Sequence, residues 1–169
     1  MMVKKALFMP GQVPEGGACI SSFIVAEKDG KVLVGKMRNP ETWVEKFLVG
    51  PSFAPKYAAS GKWLLPASHL KFGESPDECA QRILKEQLLV GRGSCTLMGI
   101  QSHVSGDPSD IEKAHWDLCI IYRGSIPEPV HVPGWFSELR YVMAKDLKTD
   151  DFTRGHGDIL EQLGLLGKR

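Results

Sequence analysis

Residues 65–90, LPASHLKFGESPDECAQRILKEQLLV, decide the fold of this chain. They run from an apolar strand end through a polar loop into a helix. Ser75 is the predicted N-cap, Pro76 suits the first helical position, and Glu78 three residues after Ser75 completes a capping box. A polar loop that leads into a capped helix is how a metal and phosphate site would be built.

The helix has two distinct faces. Glu78, Arg82 and Glu86 are spaced by four residues and share the polar face. Gly91 and Gly93 are expected to end the helix. The apolar stripe that should be buried consists of Cys79, Ala80, Ile83, Leu84 and Leu88.

The flanking sequence predicts mostly strands. Residues 19–27 and Lys31–Met37 are β-prone and are joined across Asp29-Gly30, which is a strong hairpin signal. Further strands are expected at 63–65, 95–104, 115–122 and 139–143, and a short helix at 159–165. Strands on either side of one long helix predict a single α/β domain over residues 1–169, with a mixed sheet between helices.

Residues 38–62 are rich in proline, glycine and aromatic side chains, which predicts a long loop insertion. Such loops often form lids or substrate arms, and this one is also a candidate contact for a homodimer. Its aromatic side chains could stack on a nucleobase or pack the loop against the body of the domain. They are Trp43, Phe47, Phe53 and Tyr57.

Composition narrows the possible partners. A formal net charge of +1 with scattered basic residues gives no reason to expect nucleic-acid binding. The apolar runs are too short to span a bilayer, so no membrane partner is expected. Four cysteines stand far apart, and three of them (Cys19, Cys79 and Cys119) are predicted as small core residues of a cytoplasmic protein.

Residues 68–90 resemble the Nudix box, whose pattern is Gly, five residues, Glu, seven residues, then Arg-Glu-aliphatic-x-Glu-Glu-x-Gly-aliphatic. Glu74 matches the first acid and Arg82 the arginine. Leu84 and Val90 fill the aliphatic positions, and Glu86 matches the first of the paired acids. The order of the flanking strands is also similar, so the resemblance implies a Nudix fold.

Four box positions differ. Ser68 and Leu89 replace glycines, Ile83 replaces the glutamate after the arginine, and Gln87 replaces the second paired acid. Ile83 also fits the apolar stripe, so we interpret it as a core residue. Loss of two negative charges is expected to weaken metal binding substantially.

The resemblance implies catalysis with Mg²⁺ or Mn²⁺ at a diphosphate. Glu86 is the best metal ligand, and the side-chain oxygen of Gln87 and the backbone carbonyl of Ala67 are candidate ligands. Glu74 and Arg82 would orient the site, with the arginine fixing the carboxylate rotamers. Glu74, Arg82 and Glu86 are therefore the expected catalytic set.

Substrate contacts are expected from Arg38, His69 and His103. His115 is interpreted as a structural histidine, with base or leaving-group chemistry as the alternative. Acids on the loop at 105–113 are possible replacements for the missing carboxylates: Asp107, Asp110 and Glu112.

The nearest subfamily is the GDP-mannose mannosyl hydrolases, to which residues 35–39, His69 and His103 are similar. Gln87 and Phe136 differ from that subfamily, which keeps an acid and a nearby histidine at the respective places. Two functions stay open. The first is a metal-dependent hydrolase of a nucleoside diphosphate derivative, with a nucleotide sugar favoured. The second is a Nudix fold without catalysis that senses a nucleotide or binds a protein.

Overall fold

The structure, a computed structural model, describes residues 18–91, 93–105, 115–127 and 130–167. Its strands are β1 Ala18–Val25, β2 Glu27–Lys28, β3 Lys31–Met37, β4 Trp63–Leu64, β5 Ala67–His69, β6 Ser94–Ser105, β7 His115–Ser125 and β8 Phe136–Met143. Its α-helices are α1 Pro40–Phe47, α2 Ala54–Ser60, α3 Pro76–Arg82 and α4 His156–Gln162. A single π-helical segment, Ile83–Gln87, continues α3. None of the helices in these ranges is long and apolar enough to cross a membrane.

The strands form two sheets. The first has the order β5-β1-β7-β6, in which β1 and β7 run parallel and the other neighbours antiparallel. In the second, β3 pairs with β2, β4 and β8. The hairpin predicted at Asp29-Gly30 is confirmed between β2 and β3, with φ of 51° and 72° at the two turn residues. Strand β1 itself belongs to the other sheet, which the hairpin signal did not predict.

Two hydrophobic clusters lie on opposite sides of these sheets. Helices α1 and α3 pack on the first cluster, which includes Trp43 and Ile83. Helix α4 packs on the second cluster, which includes Phe23 and Ile159. This arrangement confirms the predicted α/β fold, with mixed sheets between helices.

Helix α3 begins as the sequence predicts and ends earlier. Ser75 and Glu78 form the capping box. The helical segment stops at Leu88, before the glycines at which its end was expected. Leu89 then takes a left-handed backbone conformation with φ of 56°, at the position where the Nudix pattern has glycine.

The predicted long loop at 38–62 is wrong, because most of this segment forms α1 and α2. Each helix has a proline in its first turn, where a missing N–H costs no hydrogen bond. Trp43 and Phe47, four residues apart, are each only 1% exposed and fix α1 on the core. These two aromatic side chains therefore pack the segment against the body.

Candidate functional site

Arg82 is the centre of the loop–helix junction. Its Nε donates to Glu74 Oε1 at 2.7 Å and its Nη2 to Glu74 Oε2 at 2.9 Å, so the pair is bidentate. The guanidinium is buried, and its hydrogen bonds hold the pKa of Glu74 below its usual value. Glu74 is therefore an anion locked in one orientation.

The same guanidinium binds the outer edge of β5. Nη2 donates to the carbonyl of His69 at 2.9 Å, and Nη1 donates to Ser68 Oγ at 3.1 Å. Ser68 in turn donates to the carbonyl of Phe47 at the end of α1, at 2.9 Å. The serine that replaces a box glycine thus joins α1 to Arg82. All of these hydrogen-bond partners of Arg82 are groups of the protein itself. The arginine is therefore placed to orient Glu74 and β5 rather than to contact a substrate.

Gln87 and Ala67, two of the expected metal ligands, are hydrogen-bonded to each other. Gln87 Nε2 donates to the carbonyl of Ala67 at 2.9 Å, and the N–H of Ala67 donates to Gln87 Oε1 at 3.1 Å. The backbone N–H can only donate and the carbonyl only accept, so these partners fix the amide orientation. Gln87 is fully buried. Its oxygen therefore satisfies a backbone N–H, and its nitrogen stands at the carbonyl where a cation was expected.

The side chain of Glu86 is exposed and makes no hydrogen bond or ion pair with another residue in the described ranges. Glu78 is engaged in the cap of α3. Glu86 is therefore the single free carboxylate among the residues that the Nudix pattern assigns to the metal. Mg²⁺ is usually held by one or two carboxylates together with waters and substrate phosphates, so Glu86 alone is the smallest protein donor set for such an ion. The candidate replacement acids Asp107, Asp110 and Glu112 lie outside the described residues.

A cavity of about 170 Å³ is lined in part by β5. It is bounded by β1, β5 and β7, by α1 and α2, and by the segment that leads into α4. Ala67 also lines it, so the cavity adjoins the Gln87–Ala67 pair. One part of its wall is aromatic, with Phe53 and Tyr57 stacked at 6.0 Å between ring centroids.

The adjoining part of the cavity wall is polar. Arg154 Nη2 donates to Asp117 Oδ2 at 2.7 Å, and His115 Nε2 lies 3.2 Å from Asp117 Oδ1. The guanidinium of Arg154 also lies over the Phe53 ring, 5.0 Å from its centroid. Cys19 completes this polar end. A cation, a carboxylate, an imidazole and a thiol therefore face one small volume.

The predicted substrate contacts occupy different places. His69 and His103 line the cavity, whereas Arg38 is exposed and is not part of its wall. His69 Nδ1 lies 2.6 Å from the carbonyl of Leu48 and must carry the proton, since a carbonyl only accepts. Burial lowers the pKa of His69. A neutral ring presents a hydrogen-bond acceptor at Nε2, which does not suit a phosphate.

Three residues of this cavity were missed from the sequence as functional candidates. Cys19 was expected in the core with Cys79 and Cys119, which are indeed buried, but it is only partly buried in the cavity wall. Asp117 lies two residues after His115 on β7, so both side chains project from the same face of the sheet. Arg154 carries no pattern that distinguishes it, because it reaches the site only through the tertiary fold.

Comparison with known proteins establishes the family. The model of the NUDIX domain matches residues 21–163, so the chain belongs to the NUDIX domain family. Nudix hydrolases act on nucleoside diphosphate derivatives and generally use divalent metals. No curated protein sequence matches the chain.

Solved structures agree in fold at low identity. A MutT NUDIX hydrolase from Burkholderia pseudomallei is 20% identical, with a TM-score of 0.56 over 86% of this chain and 98% of that one. The NUDIX domain of Shewanella oneidensis NrtR, solved with ADP ribose, is 16% identical, with a TM-score of 0.56 over 94% and 93%. A MutT protein from Methanosarcina mazei is 15% identical, with a TM-score of 0.57 over 90% and 95%.

Proposed function

We propose that this protein binds a nucleoside diphosphate derivative in the cavity, and that it does so without a divalent metal and without hydrolysing the ligand. The observation that carries this proposal is the Gln87–Ala67 pair. It satisfies two expected ligand groups within the protein, and it leaves Glu86 as the free carboxylate. A site of this composition favours recognition over metal-dependent catalysis.

The cavity supplies the contacts that such a ligand needs. Tyr57, whose ring is stacked on Phe53 in the cavity wall, is the candidate aromatic contact for a flat base. Arg154 uses Nη2 for Asp117 and keeps further N–H groups that can meet a phosphate oxygen. The NUDIX domain of NrtR, solved with ADP ribose, supports a ligand of this class. The cavity is smaller than the roughly 300 Å³ of a pocket for a drug-sized ligand, so we place one part of the ligand inside it and the rest at its mouth.

A second candidate is the hydrolase that the sequence favours, acting on a nucleotide sugar such as GDP-mannose with Mg²⁺ or Mn²⁺. The intact Glu74–Arg82 pair beside the exposed Glu86 supports it. In this candidate Glu86 is indispensable for turnover. The cytoplasmic location and the homodimer stay predictions under both candidates.

One experiment separates the two candidates. Binding of ADP-ribose, GDP-mannose and nucleoside diphosphates is measured by calorimetry in EDTA and in Mg²⁺, and products are sought by mass spectrometry. We expect binding in EDTA with no product. Product that forms only with Mg²⁺ and disappears in Glu86→Ala would instead establish the hydrolase.

The place of binding is tested with paired arginine variants. We expect Arg154→Ala to weaken binding roughly 10- to 100-fold, the range for loss of a hydrogen bond to a charged group. Arg140→Ala is the control, because Arg140 is exposed and outside the cavity wall. Equal affinities of the two variants would place the ligand elsewhere.

A further inference from the structure

Three metal-ligating side chains converge at the polar end of the cavity, away from the polar face of α3. The parallel register of β1 and β7 places Cys19 beside Asp117. His115 lies two residues before Asp117 and therefore projects from the same face of the sheet. One ligand atom from each of the three residues lies within 4.8 Å of the other two.

We propose that Cys19, His115 and Asp117 form a binding site for a transition-metal ion of the Zn²⁺ type, with its fourth coordination position open to the cavity. This site is distinct from the Nudix box and uses none of its residues. The inference does not depend on nucleotide binding.

The ligand types select the ion. Thiolate sulfur, imidazole nitrogen and carboxylate oxygen are the ligands of protein zinc sites, whereas Mg²⁺ takes oxygen. His115 Nε2 and Asp117 Oδ1 are 3.2 Å apart. Two such ligands on a tetrahedral zinc ion are separated by about 3.3 Å, from metal–ligand distances of roughly 2.0–2.2 Å. Three protein ligands with one open position are typical of zinc ions that meet a ligand or a substrate.

The charges around the site are compatible with a dication. Without metal, burial and the nearby Asp117 raise the pKa of the Cys19 thiol. Metal binding would replace the thiol proton with the ion and release that proton to water. It would also require the imidazole proton, which Asp117 Oδ1 accepts from His115 Nε2, to move to Nδ1, so that Nε2 is free to bind the metal. The thiolate and the carboxylate then balance the dication. Arg154 holds Oδ2 of Asp117 at 2.7 Å, which leaves Oδ1 directed towards His115. The positive charge of Arg154 lowers the affinity of the site.

The test uses Co²⁺ as a spectroscopic probe on the full chain, treated with EDTA, exchanged into metal-free buffer and free of nucleotide. A cobalt–thiolate bond gives a charge-transfer band in the near ultraviolet. We expect one equivalent of Co²⁺ to produce that band and one equivalent of Zn²⁺ to remove it. Excess Mg²⁺ should leave the band unchanged.

Paired cysteine variants locate the site. Cys19→Ser should abolish the cobalt–thiolate band, and Cys95→Ser should retain it, because Cys95 lies on β6 outside the cavity wall. A wild-type protein without the band would overturn the proposal, and this result needs no variant to fold. A band that persists in Cys19→Ser, or that is lost equally in Cys95→Ser, would overturn it as well. Because no nucleotide is present, failure here leaves the proposed ligand binding untouched.

Discussion

At the scale of single residues, Gln87 differs from the glutamate of the Nudix pattern by one functional group. A carboxylate can only accept hydrogen bonds when ionised, whereas an amide both donates and accepts. Because of this difference, Gln87 pairs with both backbone groups of Ala67, and a carboxylate there would face the Ala67 carbonyl with no proton between them. The replacement therefore converts a metal position into a structural contact.

A glutamate at position 87 should make the stability of the domain depend on a divalent metal. In EDTA, we expect Gln87→Glu to lower the free energy of unfolding by about 1–3 kcal/mol, because a buried carboxylate would face the Ala67 carbonyl. Mg²⁺ should recover part of that loss, and thermal melting in each buffer measures both effects. The control is Gln81→Glu, the same change in charge at an exposed position of α3. A variant as stable as wild type in EDTA would show that the Gln87–Ala67 pair does not close the site.

Some of these residue roles could be predicted from sequence and others could not. Ile83 was predicted to be a core residue and is 1% exposed, because helical periodicity alone determines which face is buried. The pairing of Arg82 with Glu74 followed from the Nudix pattern. The contact of Gln87 with Ala67 spans 20 residues and depends on the free edge of β5, which no local pattern reveals.

At the scale of elements, the end of the α3 segment carries backbone strain. Leu89 has φ of 56° and is 49% exposed, so the residue adopts a left-handed conformation with little compensating burial. That conformation costs a residue with a side chain roughly 1–2 kcal/mol. We expect Leu89→Gly to raise Tm by about 2–4 °C, the shift that 1 kcal/mol gives a domain of this size.

A matched leucine controls for the loss of the side chain. Leu97 on β6 is 54% exposed and is not among the residues with positive φ. Leu97→Gly should therefore lower Tm, since glycine weakens a strand. Equal decreases in Tm for the two variants would contradict the strain at Leu89.

Helix α4 is tied to the rest of the domain by a partly buried histidine. His156 Nδ1 accepts a hydrogen bond from the N–H of Leu65 at 2.9 Å, and burial lowers the pKa of His156 to about 4. The unfolded chain binds a proton below pH about 6.5. Stability from this group is therefore complete above that pH and is lost as pH falls from 6.5 to 4, by roughly 3 kcal/mol in total.

Urea unfolding between pH 7 and pH 4 checks this dependence. We expect His156→Gln to reduce the dependence of the free energy of unfolding on pH. A smaller dependence should remain, because burial also lowers the pKa of His69. His131→Gln, at an exposed histidine, is the control. If His156→Gln retains the full wild-type slope, His156 is not the group that titrates.

Some secondary-structure elements can be predicted from local sequence, and others cannot. Asp29 and Gly30 predict the β2–β3 turn because both residues tolerate positive φ. The parallel pairing of β1 with β7 joins residues about 98 positions apart, such as Cys19 and Asp117, and only tertiary packing determines it. The sequence does not predict helices α1 and α2, because the prolines and glycines in 38–62 are typical of loops, although Pro40 and Pro55 stand in first turns.

At the scale of the whole molecule, β5 adjoins two candidate functional regions. Its outer edge is bound by Arg82 and by Gln87, which closes the expected metal site. Its face lines the cavity that carries Arg154. Ala67 belongs to both regions, because its backbone is hydrogen-bonded to Gln87 and the residue also lines the cavity. The domain thus keeps the Nudix architecture, and its cavity holds the polar side chains of Arg154, Asp117 and His115.

The central claim is that ligand binding does not require a divalent metal. The most direct test is isothermal titration of the wild-type protein with ADP-ribose and with GDP-mannose, each in EDTA and in Mg²⁺, with Glu86→Ala in parallel. We expect at least one of these probes to bind with the same affinity in both buffers and to both proteins. Binding that appears only with Mg²⁺, and that Glu86→Ala abolishes, would contradict it.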